Sequence, residues 1–114
     1  MILTTFKMMI PAKNKREALK IIRSVVLKIR DESDCLNCCI SRDVENSNVI
    51  IYQEYWKSEE GLNHHVRSSD YRNLLLVMEM ACTKPEVRFD TISCSTGIET
   101  IERILRTIRT EEKY

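Results

Sequence analysis

Two adjacent histidines, one glutamate inside an apolar run and a tight group of cysteines are the residues of this chain best suited to chemistry. His65 is the leading acid–base candidate. An unperturbed imidazole titrates near 6.5, so it can accept a proton from an acidic hydroxyl at neutral pH; the competing role is a histidine hydrogen-bonded for structure. His64 points roughly 100° away around a helix and reads as an exposed side chain. Glu54 lies within Val49-Ile50-Ile51-Tyr52-Gln53-Glu54-Tyr55-Trp56. The two-residue period of a strand places Tyr52, Glu54 and Trp56 on one face. Aromatic walls beside a carboxylate suit a flat phenolic ligand, although packing in a core is the commoner job for each of these rings. An unpaired buried carboxylate is costly, so Glu54 either pairs with a basic residue or acts in a pocket. Tyr71 can line the same cavity from a following helix or join the core.

Cys35 and Cys38 form a C-x-x-C spacing, with Cys39 next to them. A zinc site would need a second ligand pair, and a redox-active pair belongs at a helix start, where the dipole lowers a thiol pKa. Here the spacing opens a strand, which should point the two thiols to opposite faces. Ordinary, partly buried thiols and no metal site are expected. Five cysteines cannot all pair with one another, and a reduced, cytoplasmic chain follows as the simplest expectation.

The elements that must position these residues follow from periodicity. Residues 2–10 alternate as a strand ended by Pro11. Asn14 and Glu17 have the form of a capping box, and Ala18, Leu19, Ile22, Val25, Val26 and Ile29 recur at helical spacing to about Arg30. Leu36, Cys38, Ile40 and Val44 share a strand face, Glu45-Asn46-Ser47-Asn48 has turn composition, and residues 49–56 complete a hairpin. Ser58 caps a short helix to about Val66. Ser68 or Ser69 caps the next, with Tyr71, Leu74, Leu75, Met78 and Ala81 on its apolar face. Residues 86–94 read as a last strand. From Gly97, Ile98, Ile101, Ile104, Leu105 and Ile108 form an amphipathic helix, with Arg103, Arg106 and Arg109 around its polar side. This order is an α+β, ferredoxin-like, split β-α-β-β-α-α-β plan with an antiparallel sheet and an extra C-terminal helix. Residues 1–96 form the domain and 97–114 its helical extension. The strands read as apolar on both sides, so a homodimer packing sheet against sheet is expected.

Composition narrows the functions. With 43% hydrophobic and 31% charged residues, the chain is an ordinary globular one and not a disordered one. Gly61 and Gly97 are the only glycines, which excludes the glycine-rich phosphate loops of dinucleotide and P-loop folds. A net charge of +1, with lysines and arginines read as dispersed, gives no field for nucleic acid or an anionic membrane. The longest apolar run, Leu74 to Met78, is far short of the roughly 20 residues of a membrane span. Met1-Ile2-Leu3-Thr4-Thr5 lacks the basic start and apolar stretch of a signal peptide.

The segment Glu54-Tyr55-Trp56-Lys57-Ser58-Glu59-Glu60-Gly61-Leu62-Asn63-His64-His65-Val66-Arg67-Ser68 resembles the antibiotic biosynthesis monooxygenase family. It shares a strand ending in Glu-x-Trp, a Ser-initiated helix carrying Leu62 and His65, then a Ser and the aromatic Tyr71. The likeness covers about residues 1 to 95. It implies a dimeric α+β barrel with a pocket between sheet and helices. It also implies oxidation of quinols or phenolic aromatics by O2 with neither metal nor flavin. The chain departs from the family pattern at Asp70, where quinol-oxidising relatives often carry a second histidine, and at Asp34-Cys35-Leu36-Asn37, where a glycine turn is usual. A heme-degrading branch of this fold needs a histidine where this chain has Leu75, which cannot ligate iron.

The resemblance implies His65 as base, Glu54 as its partner or a second proton site, and Trp56, Tyr71 and Tyr52 as substrate-binding walls. A cofactor-independent monooxygenase acting on a small quinol or phenol is expected. The alternative is a dimeric module that binds a small aromatic or hydrophobic ligand without turnover.

Overall fold

The computed structural model describes residues 1–112, with side chains through Thr107. Strand β1 (Ile2–Met9) buries Thr4, Phe6 and Met8 on one face, and Ile10 follows them inside. Pro11 then ends the strand, since it has no N–H to give the ladder. Helix α1 (Ala12–Ile29) begins directly after Pro11, whose φ of −55° already suits a helix. The expected capping box is absent. Asn14 lies inside the first turn, its N–H donating to the Pro11 carbonyl at 2.9 Å, and no side chain caps the helix. Ala18, Leu19, Ile22, Val25, Val26 and Ile29 form the buried face, as the periodicity predicts.

Strand β2 (Cys35–Arg42) and strand β3 (Val49–Trp56) form the hairpin. Two expectations fail here. Cys35 pairs with Trp56 but Asn37 pairs with Tyr55, so Leu36 is an extra residue in a β-bulge and is 53% exposed. Val44 lies in the turn and is fully exposed. Asp43 Oδ1 shapes that turn by accepting the N–H groups of Glu45 (2.8 Å) and Asn46 (3.3 Å).

Helix α2 (Glu59–Val66) starts at Ser58, whose Oγ accepts the Gly61 N–H at 3.1 Å, with Glu59 and Glu60 favourably placed at the positive end of the dipole. Helix α3 (Ser69–Glu79) starts the same way at Ser68, whose Oγ accepts the Tyr71 N–H at 3.4 Å. Its buried residues are Tyr71, Leu74 and Val77, and Leu75 is 42% exposed. Strand β4 (Glu86–Thr91) stops before Cys94, which is exposed. Helix α4 (Glu99–Glu112) leaves Ile98, Ile101, Ile104 and Leu105 between 49% and 73% exposed. The side chains of Ile108 and Arg109 lie outside the described residues. The radius of gyration, 18.1 Å, exceeds the roughly 13 Å of a compact 100-residue domain.

The sheet order is β2-β3-β1-β4, antiparallel throughout, which is the ferredoxin-like topology. α1, α2 and α3 lie against one face and enclose the core. The other face is mixed, not apolar. Leu3, Thr5, Ile51, Gln53 and Tyr55 are half-buried on it, and Glu86 and Arg88 are exposed at its β4 edge.

Gly61 marks where α2 meets the loop before β2. A Cβ there would sit 2.6 Å from Asp34 Cβ and 2.8 Å from Asp34 Oδ2. Gly61→Ala should therefore destabilise the protein by roughly 1–2 kcal/mol, overpacking outweighing the gain in helix propensity. Asp34→Gly in the same chain should restore much of the loss in a thermal melt. A single Gly61→Ala variant more stable than wild type would refute the close approach.

Candidate active site

Three residues predicted from the sequence, Tyr52, Trp56 and His65, converge on a fourth, Glu54, and the fifth, Tyr71, packs against His65. Glu54, at the middle of β3, has no accessible surface, and its carboxylate is the hub of a hydrogen-bond cluster. Oε2 accepts from Tyr52 Oη at 2.5 Å and stands 2.8 Å from His65 Nε2. Oε1 accepts from Trp56 Nε1 at 2.9 Å and from Thr4 Oγ1 at 3.4 Å. Tyr52 and Trp56 reach it because residues two apart in a strand share a face. Thr4 reaches it because β1 pairs Thr4 directly with Glu54. His65 comes from the last turn of a short, Ser-capped helix laid over that strand.

Rings enclose the polar centre. Trp56 stacks on His65 with centroids 4.9 Å apart and planes at 27°. Tyr71 meets His65 edge-on at 5.3 Å and 88°. Phe6 joins Tyr71 (6.2 Å) to Tyr52 (5.9 Å) and extends the series of rings around the carboxylate. Each such pair is worth about 0.5–1.5 kcal/mol beyond its buried area.

The electrostatics follow from this arrangement. Burial alone would raise the Glu54 carboxyl. The hydrogen bond and charge of His65, then the bonds from Tyr52 and Trp56, outweigh burial and hold it below its ordinary 4.5. Tyr52 is driven strongly upward by burial and by the neighbouring carboxylate, so it stays a phenol and a donor. Tyr71 is raised by burial and then by Glu54. An ionised carboxylate only accepts, so Nε2 of His65 carries a proton toward it and Nδ1 is the ring nitrogen left for proton exchange.

The cluster is closed. Tyr52, Glu54 and Trp56 are 0% exposed and His65 is 1%, so no void that would admit a water adjoins them. Among the described residues, no buried polar side-chain atom lacks a partner. The other flagged residues stand apart: His64 is exposed, and Asp70 pairs with Lys28 at 3.1 Å on the surface. Thr4 is the residue sequence reasoning passed over. Its signal was its place on the buried face of β1, which only the β1–β3 register turns into a contact with Glu54.

The bulge at Leu36 corrects the expected placement of the cysteines. It puts Cys35, opposite Trp56, and Cys38, opposite Glu54, on the same sheet face. Burial pushes the Cys35 thiol up to about 12, with Cys38 and Glu54 adding to it. Burial also raises Cys38, against the pull of Arg30. All five cysteines are free. No helix among the described residues is long and apolar enough to cross a membrane.

Comparison with known proteins accords with this fold. The sequence model of the family described as antibiotic biosynthesis monooxygenase matches residues 1–75. None of the curated proteins matches the sequence. Among solved structures, a conserved protein from Methanosarcina mazei Go1 is 21% identical with a TM-score of 0.73, over 78% of this chain and 89% of its own. An antibiotic biosynthesis monooxygenase is 19% identical with a TM-score of 0.72, over 82% of this chain and 100% of its own. A Mycobacterium tuberculosis protein is 13% identical with a TM-score of 0.75, over 84% and 98%. At these identities the likeness is one of fold.

The lowered pKa of Glu54 sets a pH dependence. Its contribution to stability is complete above the unfolded value of 4.5 and is lost as pH falls through the lower folded value. Wild type should lose stability in urea titrations as pH falls below the unfolded value of 4.5, while Glu54→Gln, which cannot titrate, should start lower and fall less. At pH 7, Glu54→Ala should cost about 3–5 kcal/mol by leaving the buried partners unpaired. Parallel pH profiles for wild type and Glu54→Gln would show that the carboxylate is not held by these donors.

Proposed function

The chain belongs to the antibiotic biosynthesis monooxygenase family, and on that premise we propose that it is a cofactor-independent monooxygenase oxidising a small quinol or phenolic aromatic with O2. The observation that supports this reading is the buried His65–Glu54 pair, 2.8 Å apart and walled by Trp56, Tyr52 and Tyr71. Glu54 fixes the imidazole and offsets the positive charge it gains. His65 takes the substrate's hydroxyl proton through Nδ1. The resulting phenolate is electron-rich enough to reduce O2 directly; one oxygen atom is retained in the product and the other leaves as water. Metal and flavin have no part in this reading.

Substrate reaches the pair by displacement of α2. This is an eight-residue helix, and it carries His65. The unit is a cytoplasmic homodimer of the 1–96 domain, joined through the half-buried outer face of the sheet. The 97–114 segment is an appended helix.

The filled state of the cluster favours a second reading, a non-catalytic dimeric module that holds a small aromatic or hydrophobic ligand elsewhere on the fold. Oxygen uptake with a panel of hydroquinones and phenols separates the two. The monooxygenase should consume O2 with at least one of them, and His65→Gln should lower the rate at least about 100-fold while the protein stays folded. Equal rates would remove His65 from the chemistry, and no uptake with any compound would leave the binding module. Light scattering should give twice the 13.4 kDa chain mass; a monomer would refute the dimer.

A further inference from the structure

Along the sequence the basic residues look dispersed, but the fold gathers five of them. In α1, Arg16, Arg23 and Arg30 recur at intervals of seven, so they form one stripe with only a slow drift around the helix. That stripe borders β2, the edge strand of the sheet. Arg23 and Arg30 line a cavity of about 570 Å³ with Arg42 of β2, over an apolar floor of Leu19 and Ile40. A second cavity of about 400 Å³ continues toward the start of α1 and adds Lys15 and Arg16. Leu19, Arg23 and Arg42 line both, so the two are one groove.

No carboxylate lines this groove, and among the described residues none of its five cations forms an ion pair. Cations elsewhere do find partners: Lys28 on another side of α1 pairs with Asp70, and Arg88 with Asp90. The nearby Asp43 has its Oδ1 engaged by turn amides. A chain with a formal charge of only +1 thus concentrates positive potential in one concave site, where low-dielectric walls focus it.

We propose that this groove binds a nucleotide-sized organic molecule carrying two linked phosphates. The planar guanidinium fork matches phosphate oxygens in a bidentate manner. An exposed ion pair contributes at most about 1 kcal/mol, so a single charge is held weakly and two adjacent phosphates spanning Arg23, Arg42 and Arg30 are held well. The organic body lies over Leu19 and Ile40, with Lys15 and Arg16 beyond. The volume falls within the range of about 300–1,000 Å³ usual for small-ligand sites. This site is separate from the His65–Glu54 cluster, and the proposal does not depend on the oxygenase reading.

Calorimetry at low salt with adenosine diphosphate and with inorganic pyrophosphate tests it. Both should bind saturably at one site per chain and weaken as salt is added. Arg23→Gln/Arg42→Gln should raise the dissociation constant at least about tenfold with an unchanged circular dichroism spectrum and melting temperature. Arg88→Gln, on β4 at the far edge of the sheet, should bind as wild type does. Absence of saturable binding at millimolar ligand would overturn the proposal, as would equal affinity in the double variant. Much tighter binding of heparin than of either diphosphate would overturn it in favour of a macromolecular polyanion.

Discussion

A carboxylate with no access to water sits at the middle of the sheet, and the surrounding structure is organised by the need to keep it satisfied. Glu54 draws donors from three elements: Thr4 from β1, Tyr52 and Trp56 from its own strand, and His65 from α2. A buried charge that loses even one good partner is expensive, so the register of β1 on β3 and the seat of α2 are specified by the same group. Apolar packing alone would tolerate small shifts of a short helix. A hydrogen bond of 2.8 Å to a buried carboxylate does not.

The same constraint shapes what the site can do. An imidazole held by a carboxylate on one nitrogen, stacked on Trp56 and met edge-on by Tyr71, is oriented without help from a ligand. Such preorganisation serves proton transfer, because little rearrangement remains for the reacting state. It also leaves no accessible surface on Tyr52, Glu54 or Trp56, so the cluster as it stands is packed like a core.

Much of this was legible in the sequence because it rests on local periodicity. The two-residue strand period put Tyr52, Glu54 and Trp56 together, and the serine caps placed α2 and α3. What escaped notice depends on partners distant in sequence. Thr4 gains its meaning from register alone. The bulge at Leu36 changes the facing of Cys35 relative to Cys38, and counting alternation cannot reveal an extra residue. Pro11 pre-empted the capping box at Asn14 by supplying helical φ three residues earlier. The arginine stripe was present as a seven-residue interval in α1, but its charge became a groove only when the hairpin carried Arg42 alongside.

Trp56 is the only tryptophan of the chain. Its indole N–H is bonded to Glu54 and its face lies on His65. Indole emission outshines that of the four tyrosines, so the dominant native fluorophore of the molecule stands inside the buried cluster. Imidazolium quenches indole emission by contact, and loss of the carboxylate bond shifts its colour. Any change in the Glu54 bond or in the ring stacked on the indole therefore becomes an optical signal that needs no label.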